Sequence, residues 1–333
     1  MNSISFIAII SSLYLLSITV LRKRYVSFSV EESSSFKGIL SILIILSHVN
    51  FHADLPFFLT ITKWAGTKVA LFFFISGFGL MSSFIKKGNL YLKGFFTKRV
   101  WKILFPLVFI TGFFLLIYYW DSGYFNVNFL KDLLKGSTPL PYSWFAYIII
   151  IFYIFFYFVF LTNWSLQTKS LVMMLLAFLF SFGLYRLGFD RAWWVSNLAF
   201  PFGMLYKLNE NRITHLSRTR LGRIGFVPTA LIIAVLFAFL KIEILYVFSY
   251  VFIVLAILVL LSYSGLPKGK LFSFLGKVSY ETYLIHGGVY YLLRGQYFYI
   301  TNPYLYLLST IILTLGLAYC FHHIFIRFYK IKI

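Results

Sequence analysis

The chain has 333 residues, of which 61% are hydrophobic and only 12% are charged. Because soluble domains carry about a quarter of their residues as charges, this composition excludes a soluble globular protein and predicts a polytopic membrane protein. The net charge of +21 lies in short segments between apolar runs, so we expect membrane lipid and no nucleic acid as the partner of these cations.

The apolar runs predict an all-α transmembrane helical bundle of about eleven spans. The first run is followed by the cations of residues 22–24 and has none before it, so we expect a retained helix and not a cleaved signal. The seventh run contains Pro201 and Gly203, which makes ten spans the alternative count. The runs are 4–21, 38–56, 66–85, 103–120, 143–162, 170–188, 192–206, 225–240, 243–262, 278–298 and 303–325.

The distribution of basic residues predicts the orientation of this bundle. With eleven spans, most of the 30 lysines and arginines fall on one face, and the rest, Arg294 among them, fall on the other. The positive-inside rule then places the N-terminus outside and the C-terminus in the cytoplasm of a multi-pass plasma-membrane protein. We find no internal repeat, so residues 1–333 are predicted to form a single membrane domain.

An early apolar segment carries two ionisable residues, Lys37 and His48. On a continuous helix the eleven steps between them rise about 16 Å, roughly half of the ~30 Å hydrocarbon core. Ionisable side chains at membrane depth are costly and usually functional. One helix is therefore predicted to place a cation at the inner face and a titratable base near the middle of the membrane.

Two further segments bring ionisable residues to or into apolar runs. Residues 96–106 begin a span on the predicted cytoplasmic side, and residues 275–287 carry a carboxylate and a second imidazole into a late span. Their ionisable side chains are Lys98, Arg99 and Lys102 in the first segment, and Glu281 and His286 in the second.

A third segment, residues 66–80, is aromatic but interrupted by the small residues Ser76, Gly77 and Gly79. Small residues allow a second backbone to approach a membrane helix closely. The segment is expected to pack against a neighbouring helix or to admit an elongated ligand.

Taken in order, these four segments resemble the integral-membrane acyltransferase family 3, which includes O-acetyltransferases of bacterial surface polysaccharides. The family pattern has a basic residue about ten positions before a histidine, then Phe-Phe-x-x-Ser-Gly-Phe, an Arg-x-x-Arg type pair, and Ser-Tyr-x-x-Tyr-Leu-x-His. The resemblance covers residues 36–325 and leaves 1–24 as an extra N-terminal span. The chain departs from the pattern at Lys37, where many members have arginine, and at Lys102, which follows Arg99. Lysine lacks the bidentate fork of arginine.

The resemblance implies an acyltransferase that takes an acyl group, acetyl in the first instance, from cytoplasmic acyl-CoA. The acceptor would be a hydroxyl of a cell-surface polysaccharide or of its lipid-linked precursor. Because coenzyme A carries several phosphates, the cations at the inner face are the expected donor-binding residues. His48 would act as general base, and Glu281 or His286 would orient it or assist the proton transfer. Direct transfer and a covalent acyl-histidine both remain open. The expected donor-binding residues are Lys37, Lys98, Arg99 and Lys102.

Other readings of the same residues are possible. A glycolipid transporter or flippase would also carry intramembrane charge and broken spans. His48 and His52 share one helical side, as in a metal site, but no glutamate lies between them and we expect no metal. Tyr142 and Trp144 fit an aromatic belt at the outer face, or a surface on which a sugar stacks.

Overall fold

The computed structural model describes residues 29–53, 55–58, 62, 64–122, 129–218, 229–230, 232–233, 242–264, 269–296 and 298–331. This part of the chain is helical and holds no β-strand, which confirms the predicted all-α class for it. The predicted span at 4–21 and most of that at 225–240 lie outside the described residues. The helices are α1 (Val30–His48), α2 (Ala65–Lys87), α3 (Trp101–Ser122), α4 (Phe129–Leu134), α5 (Trp144–Leu161), α6 (Leu166–Arg186), α7 (Ala199–Leu208), α8 (Glu210–Arg218), α9 (Tyr246–Ser264), α10 (Lys270–Lys277), α11 (Ser279–Leu292) and α12 (Pro303–Ile331).

Within the described ranges, five helical segments are long and apolar enough to cross a membrane. They contain helices α2, α3, α5, α6 and α12, which correspond to the predicted spans at 66–85, 103–120, 143–162, 170–188 and 303–325. A membrane protein with several helical spans is therefore supported. The predicted spans at 38–56, 192–206 and 278–298 coincide with shorter or more polar helices, and that at 243–262 coincides with an apolar helical segment, Glu243–Leu258, that is shorter than the five.

The early span predicted at 38–56 begins earlier and ends earlier in the structure. Ser29 starts the helix because its Oγ accepts from the Glu32 backbone N–H at 3.1 Å, while the Glu32 carboxylate accepts from the Ser29 N–H at 3.3 Å. This reciprocal arrangement is a capping box. Helix α1 then ends at His48 and continues as one tighter 3₁₀ turn, Val49–Phe51.

The seventh predicted span, 192–206, is not one helix. A short 3₁₀ turn, Arg191–Trp193, precedes α7, which begins at Ala199. Pro201 lies in the first turn of α7, where the missing N–H has no partner to lose. The proline that weakened the prediction thus marks a helix start.

Residue contacts divide the chain into two compact units. The first unit comprises Met1–Ser33, Gly66–Lys93 and Phe155–Pro267, and the second comprises Ser34–Ala65, Gly94–Ile154 and Lys268–Ile333. Every predicted donor-binding or catalytic residue lies in the second unit.

In the first unit, α2 and α7 cross at two glycines. A Cβ on Gly77 would lie 1.9 Å from the carbonyl oxygen of Phe200, and one on Gly203 would lie 2.1 Å from that of Phe74. Both distances are far below van der Waals contact, so only glycine permits this crossing. Gly79, one position beyond Phe78, faces open space.

In the second unit, α1 and the α10–α11 segment run side by side in the same direction. Near the start of α1, a Cβ on Gly276 would lie 2.3 Å from the Ser34 carbonyl oxygen, and one on Gly38 would lie 2.6 Å from the Gly276 nitrogen. Near its end, the Tyr290 hydroxyl donates to the Ile45 carbonyl at 2.5 Å. Low-numbered residues of both segments meet at one end and high-numbered residues at the other.

Helix α3 follows the same direction in this unit. The Tyr280 hydroxyl at the start of α11 donates to the Ile103 carbonyl at the start of α3 at 2.8 Å. Further along, a Cβ on Gly288 would lie 2.5 Å from the Phe114 ring. Helices α1, α3 and α11 are therefore mutually parallel.

Helix α12 runs antiparallel to these three. Pro106 cannot donate to the Lys102 carbonyl, and the Tyr329 hydroxyl near the end of α12 donates to that oxygen at 3.4 Å. At the start of α12, the Tyr306 hydroxyl donates to the Tyr290 carbonyl at 2.7 Å. The second unit thus has a basic end, marked by Lys37, Lys102 and Tyr329, and a histidine end, marked by His48, Tyr290 and Tyr306.

The two glycines of α2 provide a matched test of the crossing in the first unit. Gly77→Ala should lower the free energy of unfolding by about 1–3 kcal/mol, because the added methyl group overpacks the contact with α7. Gly79→Ala should be neutral or stabilising by up to ~1 kcal/mol, because alanine favours a helix. Thermal unfolding in detergent measures both, and equal midpoints for the two variants would contradict the crossing.

Candidate active site

The candidate site is built around the His48 ring at the end of α1. This ring stacks on the Tyr142 ring with a centroid separation of 4.1 Å and an interplanar angle of 23°. The His286 ring, from α11, lies 5.3 Å from the His48 ring and 5.7 Å from the Tyr142 ring. The structure thus brings together two imidazoles that are 238 positions apart in the chain.

The hydrogen bond of His286 defines its tautomer. Its Nδ1 lies 2.5 Å from the Tyr283 carbonyl oxygen, which can only accept, so Nδ1 carries the proton of the neutral ring. The side chain is fully buried, and its Nε2 has no hydrogen-bond partner among the described residues. In the neutral ring a lone pair is therefore available on Nε2, and the centre of this ring lies 5.3 Å from that of His48.

Tyr142 occupies a turn before α5 that α11 holds in place. Its φ of 64° is unfavourable for a residue with a Cβ by about 1–2 kcal/mol. The Tyr283 hydroxyl donates to the Tyr142 carbonyl at 2.5 Å and accepts from the Phe145 N–H at 3.2 Å. A Cβ on Gly287 would lie 2.1 Å from the Pro141 carbonyl oxygen. Two positions of α11 thus fix the turn, and with it the ring on which His48 stacks.

A third imidazole, that of His52, binds the far edge of Tyr142. Its Nε2 lies 2.9 Å from the Tyr142 hydroxyl, and its ring stacks on Tyr290 at 4.7 Å with an interplanar angle of 9°. Burial raises the pKa of Tyr142 to about 12, so the phenol keeps its proton at neutral pH and can donate to His52. The sequence predicted His48 and His52 on one helical side; in the structure the helix ends at His48 and His52 follows the 3₁₀ turn, and both rings contact Tyr142.

The described residues contain no group of three or more His, Cys, Asp or Glu side chains placed to hold a metal ion. The His52 imidazole is hydrogen-bonded to the Tyr142 hydroxyl and stacked on the Tyr290 ring.

Glu281 is bound to α12. Its buried carboxylate accepts from Nδ1 of His322 at 2.9 Å. Glu281 precedes His286 by five residues, which is about 7.5 Å along the helix axis toward the basic end. The hydrogen bond seen for this carboxylate therefore joins α11 to α12 and does not reach His48 or His286.

The four predicted donor-binding cations lie at the basic end of the second unit. Lys98 and Arg99 are exposed in a single wide π turn, Phe96–Val100, that leads into α3. Lys102 is also exposed, and its Nζ lies 5.7 Å from the centre of the Tyr329 ring. Lys37 is close enough to Arg99 for their charges to repel. Adjacent like charges favour a ligand with several negative charges.

Sequence reasoning did not assign Tyr142, Tyr283 or His52 to the site. Tyr283 belongs to the Ser-Tyr-x-x-Tyr motif, but nothing in its spacing shows that its hydroxyl binds a turn 141 residues away. The pair Gly287-Gly288, directly after His286, was a usable signal, because consecutive glycines in a helix mark close approach of other groups.

Comparison with known proteins gives a family match. The family model described as "Acyltransferase domain", of acyltransferase family 3, matches residues 33–323. No curated protein and no solved structure matches the chain. Since the family match covers most of the chain, including Lys37 and His48, this protein belongs to acyltransferase family 3.

Proposed function

We propose that this acyltransferase moves an acetyl group from cytoplasmic acetyl-CoA to a hydroxyl of a cell-surface polysaccharide or its lipid-linked precursor, with His48 as general base. The observation that carries the proposal is the arrangement along α1. Lys37 is near enough to Arg99 for their charges to interact at the basic end, and the His48 and His286 rings lie 5.3 Å apart at the histidine end. The continuous helix between them rises about 16 Å.

The donor would bind with its phosphates at the basic end. Lys37, Lys98, Arg99 and Lys102 supply positive charge there, and charge-assisted hydrogen bonds to phosphate are stronger than neutral ones. The pantetheine arm is of the order of 15–20 Å long, comparable to the rise of α1. The thioester can then reach the imidazoles while the nucleotide stays at the membrane face.

The reaction would proceed by direct attack. The acceptor oxygen bonds to the thioester carbonyl carbon while His48 takes the hydroxyl proton. The C–S bond then breaks, and the sulfur leaves with the proton held by His48, giving an ester and free coenzyme A. Tyr142 would stabilise the transient imidazolium, because a cation over an aromatic face gains about 0.5–2 kcal/mol. His286 would assist through its Nε2 lone pair.

The proposed topology keeps the eleven spans and the orientation predicted from the basic residues. The basic end of the second unit would face the cytoplasm, where acetyl-CoA is made, and the histidine end would face outward. The protein would then be a multi-pass plasma-membrane enzyme.

A transporter or flippase is the rival function, and the family match favours the transferase. The two differ in one measurable product. Only the transferase releases free coenzyme A from acetyl-CoA in an acceptor-dependent way.

Replacing the proposed base should stop the reaction. His48→Gln should lower kcat by at least about 100-fold, because general-base catalysis contributes factors of that size, and His286→Gln should have a smaller effect. The measurement is release of coenzyme A thiol by purified protein. His323→Gln, at an exposed histidine of α12, is the matched control and should keep wild-type activity. If His286→Gln were inactive and His48→Gln active, His286 would be the base instead.

Replacing the basic residues should weaken donor binding alone. Lys37→Gln and Arg99→Gln should each raise the KM for acetyl-CoA about tenfold, since a hydrogen bond to a charged group contributes about 1.5–3 kcal/mol. The kcat should change little. Lys86→Gln removes an exposed cation from the first unit and should leave KM unchanged. An unchanged KM in both test variants would remove these residues from the donor site.

The stacking role of Tyr142 can be separated from its hydroxyl. Tyr142→Phe keeps the aromatic face against His48 and should retain most of the activity, whereas Tyr142→Leu should lower kcat about tenfold by removing the cation–π contribution. The KM for acetyl-CoA should be the same in both variants. Equal kcat values for the two variants would show that the aromatic face has no catalytic effect.

A further inference from the structure

A cavity of about 360 Å³ lies at the histidine end of the second unit. Its walls include Tyr118 of α3, Pro141 of the turn before α5, and Tyr291 and Arg294 at the end of α11. None of these residues was assigned a role in the sequence analysis or in the mechanism above. The volume is in the range of small-molecule sites in proteins.

The cavity shares a wall with the imidazole cluster. Pro141 lines the cavity, and the next residue, Tyr142, stacks on His48. Tyr291 also lines it, and its ring makes an edge contact with the His52 ring at 5.2 Å. A ligand in the cavity would therefore contact Pro141 and Tyr291, which adjoin the imidazole cluster, while no described histidine lines the cavity itself.

Arg294 is the cation of this cavity, and its side chain is held in position. Its Nη1 donates to the Tyr299 hydroxyl at 3.2 Å, and its guanidinium lies over the Tyr306 ring at 4.6 Å. Its Nε is buried without a hydrogen-bond partner among the described residues, and no described carboxylate forms an ion pair with it. A partly buried cation without a counter-ion is costly, and an anionic ligand would remove that cost.

The aromatic walls suit a saccharide. Tyrosine presents an apolar face to the C–H surface of a sugar and a hydroxyl to its oxygens. Helix α11 ends at Leu292, six residues or about 9 Å beyond His286 along the axis, and Arg294 follows. An anion held by Arg294 would thus place the rest of the acceptor toward the imidazoles.

We infer that this cavity binds the acceptor, and that the acceptor is a glycan bearing an oxyanion that pairs with Arg294. The oxyanion is either the carboxylate of an acidic sugar or a phosphate group, since a guanidinium binds both bidentately. The inference rests on the proposed function and adds the chemical class of the acceptor.

The test uses the full-length protein and the unmodified surface glycan from a strain that lacks this gene. The glycan is offered untreated, after reduction of its carboxylates to alcohols, or after removal of phosphate with hydrogen fluoride. The apparent KM for each glycan is measured at saturating acetyl-CoA for wild type, Arg294→Gln and Arg294→Lys. Arg186→Gln, at an exposed arginine of the first unit, is the matched control.

Arg294→Gln should raise the KM for the untreated glycan at least about tenfold, as expected for loss of a charge-assisted pair. Arg294→Lys should restore part of the loss, and the KM for acetyl-CoA should not change. One of the two chemical treatments should raise the wild-type KM by the same factor as Arg294→Gln does on the untreated glycan. On the glycan treated in this way, Arg294→Gln should have no further effect, which is the signature of a direct pair. Carboxylate reduction or phosphate removal then identifies the anion.

Two outcomes would overturn the inference while leaving the proposed function intact. In the first, Arg294→Gln transfers acetyl groups with the same KM as Arg186→Gln. In the second, the full effect of Arg294→Gln persists on both treated glycans. A wild-type protein that releases no coenzyme A with any glycan would instead refute the proposed function, and the inference with it. Unfolding midpoints of the two Arg294 variants show whether any loss comes from misfolding.

Discussion

The close approach of α11 to its neighbours is the constraint on which the candidate site depends. Gly276, Gly287 and Gly288 let the α10–α11 segment touch α1, the turn at Pro141 and α3 at distances that no larger residue permits. Without this approach α11 would lie farther from α1, and the His286 ring could not lie 5.3 Å from the His48 ring. These glycines let α11 lie close to its neighbours, and this closeness brings the His286 imidazole near His48.

Tyrosine hydroxyls secure the same contacts through the backbone. Tyr280, Tyr283, Tyr290 and Tyr306 each donate to a carbonyl of another element. An unpaired buried hydroxyl is costly, and more so where water is scarce, so each of these bonds also selects one register between helices. The one non-glycine residue with positive φ in the described chain, Tyr142, is held by such a bond. The backbone strain of that turn is thus offset by the hydrogen bond from Tyr283, which lies on the same helix as His286.

The second unit separates two kinds of ionisable group along its axis. Its basic end holds like charges and is suited to a polyanion, whereas its histidine end holds three imidazoles packed against tyrosine rings. This separation fits the proposed reaction, in which a phosphorylated donor and a hydroxyl acceptor would arrive from opposite sides of the membrane. Arg294 follows α11 beyond the imidazoles and would supply a positive charge that binds the acceptor.

The sequence by itself determined the family and the helical membrane class, and it predicted the candidate residues Lys37, His48, Arg99 and His286, because hydropathy and motif spacing are local properties. It also contained the capping box at Ser29 and Glu32, which sets the start of α1. Only the tertiary structure decided that His48 meets Tyr142 and His286, and that the Glu281 hydrogen bond goes to His322. It likewise decided that Gly77 serves a helix crossing and that Arg294 lines a cavity. These facts depend on which helix faces lie together and on one backbone turn with positive φ, and both arise from packing between segments far apart in the chain, which no local pattern encodes.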